Sequence, residues 1–174
     1  MKQAISAAFG AAILLLVLAP AAARAGNAWR GWDAGLAEAG NRGRPVLVDV
    51  YTDWCGWCKR MDRDIYSRRD VQDYLSRRFV TVKLNAESNE MTRYEGQSYT
   101  SRALAARFGV NGYPTTIFLT SQGAFLGNVP GYAPPDRFLL LLKYIGDGHM
   151  EKGESFEAFA RSAAAPEARR PGRR

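Results

Sequence analysis

Two cysteines, Cys55 and Cys58, stand three residues apart and are the only two in a chain of 174 residues. At that spacing the two sulfurs lie within bonding reach, so the pair can cycle between dithiol and disulfide. The nucleophile in such exchange is the thiolate. A sulfur at the start of a helix is held in that form by unpaired backbone N–H groups and by the positive end of the helix dipole. Cys55 is therefore the expected attacking sulfur, and Cys58, one turn deeper, the resolving one. With no other thiol in the chain, the pair reacts with itself or with a partner.

Metal chemistry is the competing use of a Cys-x-x-Cys. A closed zinc site normally takes four ligands, and only His149 remains as a further soft ligand, so no metal site is expected. Two thiolates do suit Cu(I), which keeps a thiol or copper-carrying module without turnover as the alternative from another class. His149 itself reads as a surface residue beyond the last core helix.

The elements that must position the pair follow from pattern. Ala28 to Ala39 carries Trp29, Trp32, Leu36 and Ala39 at helical spacing and predicts a first amphipathic helix, with both tryptophans in the core. Val46 to Tyr51 is a nearly continuous β-branched and aromatic run, as expected of a strand buried on both faces, and Asp49 is its one charge. A helix follows from Cys55 to about Tyr66. Ser67 with Asp70 resembles a capping box opening another helix through Phe79, and Phe79 to Leu84 returns to strand. Asn85 to Ser98 is polar and unpatterned and reads as a long surface loop before a short helix, Ser101 to Phe108, stopped by Gly109. Thr115 to Leu119 and Ala124 to Val129 form a hairpin, and Pro134 and Pro135 open a helix through Ile145. Ser155 to Ser162 adds a turn or two. The order joins a parallel βαβ unit to an antiparallel ββα unit, with loops that carry chemistry at the carboxyl end of the first strand. The cysteines lie there.

The run Trp54-Cys55-Gly56-Trp57-Cys58-Lys59 resembles the active site of the thioredoxin superfamily, and the likeness extends from about Trp29 to Ile145. It implies an α/β thioredoxin fold with a central mixed sheet flanked by helices. It further implies that Asp49 is the buried carboxylate that takes the proton from Cys58, and that Lys83 partners it. The bland reading of that pair is a satisfied ion pair. Gly112-Tyr113-Pro114-Thr115 looks like the family's cis-proline loop, so the resemblance implies a cis bond at Pro114, and Gly131 is similar to the glycine lining the substrate groove. Substrate contacts are expected from Trp54, Gly56, Trp57, Tyr113, Pro114 and Gly131. Two departures matter: Trp57 stands where familiar thioredoxins have proline, which bears on redox poise, and Tyr113 is bulkier than the usual aliphatic residue, which bears on substrate preference.

Composition sets the frame. Hydrophobic residues at 47% and aromatics at 11% suffice for one core without disulfide or metal support. Lys2, the apolar stretch Ala11 to Leu18 and Ala23-Arg24-Ala25 read as a cleavable export signal over 1–25, with an uncleaved membrane anchor as the alternative. The domain is expected over 26–162 and a basic disordered tail over 163–174. Setting aside the charges of the signal and the tail reduces the net +7 to +2, which argues against a nucleic-acid surface. The expected protein is thus a monomeric, exported or periplasmic thiol:disulfide oxidoreductase with no cofactor beyond its own Cys55–Cys58 pair. It would reduce disulfides in exported clients and be re-reduced by a membrane thiol conduit, with oxidation or isomerisation as alternatives.

Overall fold

The computed structural model describes residues 28–168; the expected signal at 1–25 and the last six residues of the basic tail lie outside them. In chain order the elements are α1 (Trp32–Arg42), β1 (Val46–Tyr51), α2 (Gly56–Met61) running into a π-helical turn (Asp62–Tyr66), α3 (Arg69–Arg78), β2 (Val80–Asn85), β3 (Met91–Tyr94), β4 (Gln97–Thr100), α4 (Ser101–Arg107), β5 (Thr115–Leu119), β6 (Phe125–Pro130), α5 (Pro135–Gly146) and α6 (Phe156–Ala168). The main sheet has the order β2-β1-β5-β6, with β1 parallel to β2 and antiparallel to β5. This is the expected mixed arrangement, and β1 lies in its interior.

Alternation along the strands sorts the core into two halves. Val46, Val48 and Val50 of β1, Val80, Val82 and Leu84 of β2, and Ile117 and Leu119 of β5 face a cluster that includes Trp32, Leu104 and Phe108. Leu47 and Phe118 face the other side, against Met61, Ile65, Leu75, Phe138 and Leu142. Period two then places Asp49 on the Leu47 face, and register sets it beside Lys83 on one neighbour and Thr116 on the other. One row across the sheet under α2 therefore reads Lys83, Asp49, Thr116.

The structure corrects five local expectations. The first helix starts at Trp32, because residues just before it pair with the sheet edge: Arg30 N–H donates to the Thr81 carbonyl and the Arg30 carbonyl accepts from Lys83 N–H, both at 3.0 Å. Trp29 and Trp32 consequently pack into opposite halves of the core, and Trp29 is only partly buried. Ser67 is not a cap; its hydroxyl bonds the Arg63 carbonyl, and α3 opens from Arg68, whose guanidinium holds Asp70 and Asp136. The polar stretch Asn85 to Ser98 is not one loop but contributes a second sheet, with β3 antiparallel to β4 around Glu95-Gly96. Its inward Thr92 and Tyr94 are buried, and Tyr94 donates to the Gly123 carbonyl at 3.1 Å. Finally, the expected disorder from 163 onward gives way to α6 through Ala168. The run Ala163 to Ala165 has the highest intrinsic helix propensity, and Phe156 and Phe159 anchor the helix on Tyr144.

Gly35 is where α1 approaches β2 most closely. A Cβ there would fall 2.2 Å from Cγ2 of Val82, which is fully buried and cannot yield. Alanine adds about 1 kcal/mol of helix propensity, against about 1–3 kcal/mol for overpacking. Gly35→Ala should therefore destabilise the fold by up to about 2 kcal/mol, read as a lower urea midpoint at unchanged slope.

Candidate active site

Cys55 and Cys58 form a disulfide with their Cα atoms 5.3 Å apart. Cys55 occupies the N-cap of α2, and its sulfur accepts the Cys58 N–H at 3.0 Å. That contact does for sulfur what a serine oxygen does at other helix starts, and it is the local stabilisation a Cys55 thiolate requires. The chain reaches this point because β1 ends at Tyr51 and Cys55 N–H turns back to the Thr52 carbonyl at 3.2 Å. Both cysteines are nearly covered, Cys55 at 3% exposure.

Aromatic rings stand around the disulfide. Trp54 and Trp57 are 67% and 54% exposed, which is unusual for tryptophan. Trp54 meets Tyr113 edge to face at 6.0 Å, and its indole N–H donates to Glu87 Oε1 at 2.9 Å. On the other side Trp57 meets Tyr132 at 5.6 Å, with the Arg60 guanidinium over both rings. Between them runs a groove of about 310 Å³ lined by Trp57, Tyr113, Pro114, Gly131 and Tyr132. The Tyr113–Pro114 bond is cis, and Gly131 N–H bonds the Pro114 carbonyl at 2.7 Å. Gly131 has φ +78°, a conformation that suits glycine. Of the expected contact residues, Trp57, Tyr113, Pro114 and Gly131 thus share one groove, Trp54 flanks it through Tyr113, and Gly56 begins α2.

Beneath α2 lies the charged row. Asp49 is 1% exposed and its Oδ2 accepts from Lys83 Nζ at 2.5 Å. The same ammonium donates to Asp62 Oδ1 at 2.8 Å and lies within 4.7–5.5 Å of the ring centres of Trp29, Tyr51 and Tyr66. Burial pushes the Asp49 carboxyl above its ordinary range, with Lys83 opposing. Burial also works to lower Lys83, but the carboxylates of Asp49 and Asp62 outweigh it and raise the ammonium. The expected pair is thus a three-member cluster. Asp62 and Tyr132, absent from the sequence expectations, carry weak signals: an acidic residue four positions after Cys58, and an aromatic directly after Gly131.

Elsewhere, His149 lies at the α5–α6 junction, bonded to Glu154 at 2.7 Å and packed on Phe159 at 4.4 Å, so it has a structural use. Among the described residues no three His, Cys, Asp or Glu side chains gather as metal ligands, and no helix is long and apolar enough to cross a membrane.

Residues 32–146 match a family profile described as a thioredoxin-like domain. The chain is 33% identical over 102 residues to the chloroplastic thioredoxin-like protein HCF164 of Oryza sativa subsp. japonica, covering 59% of this chain and 34% of that one. It is 34% identical over 108 residues to the thiol:disulfide interchange protein DsbD of Cronobacter sakazakii, covering 61% and 17% respectively. It therefore spans about a third of the first curated relative and about a sixth of the second. Among solved structures, a thioredoxin from Thermus thermophilus superposes with TM-score 0.60 at 27% identity, over 75% of this chain and 95% of that one.

The raised Asp49 carboxyl has a signed consequence for stability. Its folded pKa exceeds the unfolded 3.8, so its favourable contribution is present at acid pH and is lost as pH rises through the folded value. Asparagine mimics the neutral form throughout, and Lys83 keeps Asp62 as a partner. Asp49→Asn should thus gain thermal stability relative to the parent as pH rises from about 4 to 8. The check is the difference in Tm at the two ends of that range.

Proposed function

We propose that this chain, which belongs to the thioredoxin-like domain family, is a thiol:disulfide oxidoreductase that works through the Cys55–Cys58 pair. The observation that carries the proposal is the disulfide at the N-cap of α2, with Trp57, between the two cysteines, lining one aromatic groove with cis-Pro114. In the reduced protein the Cys55 thiolate attacks a client disulfide, forming one S–S bond and releasing one client thiolate. Cys58 then attacks Cys55 of the mixed disulfide, releases the second client thiol and restores the intramolecular bond. Asp49 accepts the Cys58 proton during that second attack, since a buried carboxylate of raised proton affinity is matched to a thiol better than an exposed one.

The favoured direction is reduction of disulfides in exported proteins by a monomer, with electrons returned by a membrane thiol reductant. Likeness to a thiol:disulfide interchange protein supports the electron route. The signal-like residues 1–25 support export. Trp54, Trp57, Tyr113, Pro114 and Gly131 bind the client segment.

The protein should reduce insulin disulfides with dithiothreitol as the electron source. Cys58→Ser should accumulate a mixed disulfide on Cys55, and Cys55→Ser should trap none. No insulin turnover together with no trapped adduct would rule the activity out and leave the thiol-binding alternative. The reduction potential decides direction: a value near about −270 mV supports a reductase, and one near about −120 mV an oxidase.

A further inference from the structure

Tyr66 is a buried titratable side chain that the exchange chemistry above does not use. The π-helical turn gives the end of this helix an extra residue, and Ile65 and Tyr66 both turn inward. The Tyr66 ring packs edge-on against Trp29 at 4.9 Å and Phe138 at 5.7 Å and is almost fully covered. Its hydroxyl is thereby delivered to the same buried space as Asp49 and Thr116, on the row beneath α2.

Two polar atoms in that space are buried without a hydrogen-bond partner among the described residues: the Tyr66 hydroxyl and Asp49 Oδ1. They share a neighbour in Lys83, whose Nζ is 2.5 Å from Asp49 Oδ2 and 5.5 Å from the centre of the Tyr66 ring. The two atoms are complementary. An ionised carboxylate only accepts, and a phenol has one proton to donate. Leaving both unpaired in an apolar interior is costly.

We propose that Tyr66 is a positioning residue for Asp49, its hydroxyl donating to Asp49 Oδ1 when that carboxyl is ionised. The contact favours the ionised form and so sets the pH at which Asp49 becomes able to take a proton. The consequence for Cys58 rests on the proton-acceptor reading of Asp49; the contact itself does not. The charged and titratable groups facing Asp49 are Lys83 from β2, and Asp62 and Tyr66 from the π turn, with the Thr116 hydroxyl from β5. Trp29 and α5 bring only apolar surface to Tyr66 at Trp29 and Phe138.

Tyr66→Phe keeps the ring and removes the donor. In the oxidised full-length protein, a ¹³C NMR titration of the Asp49 carboxyl should show its midpoint moved up by about one pH unit, the size expected for one hydrogen bond to a charged group. The pH profile for reduction of a synthetic disulfide should move by the same amount, with a rate loss of up to about tenfold on its acid side. In an Asp49→Asn background, Tyr66→Phe should leave that profile unmoved. An unchanged Asp49 midpoint in Tyr66→Phe overturns the proposal. A moved midpoint with an unmoved rate profile supports the contact and overturns instead the role of Asp49 in the exchange.

Discussion

A carboxylate placed between Val48 and Val50 in the interior strand of a sheet has to be paired or neutralised, because taking an isolated charge out of water costs several kcal/mol. The arrangement around Asp49 follows from that requirement. Parallel register brings Lys83 alongside, and the ammonium is in turn held by Asp62 and three aromatic rings. Asp62 lies in the turn that continues α2. The helix bearing the cysteines is thus tied to the sheet by an ion pair at one end, and the disulfide closes its other end.

This architecture divides the labour between two sulfurs. Cys55 is stabilised from its own helix, through the N-cap contact with Cys58 N–H, and depends on backbone groups that no side-chain substitution removes. Cys58 is covered to the same degree, further into the same helix, whose continuation carries Asp62 to the sheet row. A buried carboxyl pushed above its ordinary range is a poor structural charge and a good proton acceptor. The energetic disadvantage of burying Asp49 is consistent with a site held for chemistry rather than for stability.

Much of this could be read from the residues. Asp49 stood out because a charge interrupts an otherwise apolar run, and Cys55 and Cys58 because their spacing has one common chemical use. What escaped the sequence was decided by tertiary contacts. The short strands β3 and β4 bury a threonine and a tyrosine rather than aliphatic residues, so their alternation is invisible on a hydrophobicity pattern; Tyr94 counts as core only once its hydroxyl finds the Gly123 carbonyl. Arg30 leaves the helical pattern because the edge of β2 offers it two hydrogen bonds. The capping box at Ser67 fails because the π turn gives that hydroxyl the Arg63 carbonyl instead. Tyr66 read as an ordinary end-of-helix residue, since nothing in one dimension says that its hydroxyl comes to lie beside Asp49.

The covered disulfide bears on what can reach it. With Cys55 only 3% exposed, a bulky partner surface cannot be laid on the sulfur. An extended segment can enter along the groove between Trp57, Tyr132 and Tyr113. Two tryptophans left more than half exposed are a solubility liability that a folded domain would ordinarily bury, and they offer a flat apolar contact on either side of the reacting bond. Arg60 braces one wall by lying over Trp57 and Tyr132, and Glu87 braces the other through the Trp54 indole. The walls are therefore preorganised, and a client loses less in ordering them on binding. Sulfur chemistry alone distinguishes one disulfide from another poorly, and these rings are the preorganised surface standing beside Cys55 and Cys58.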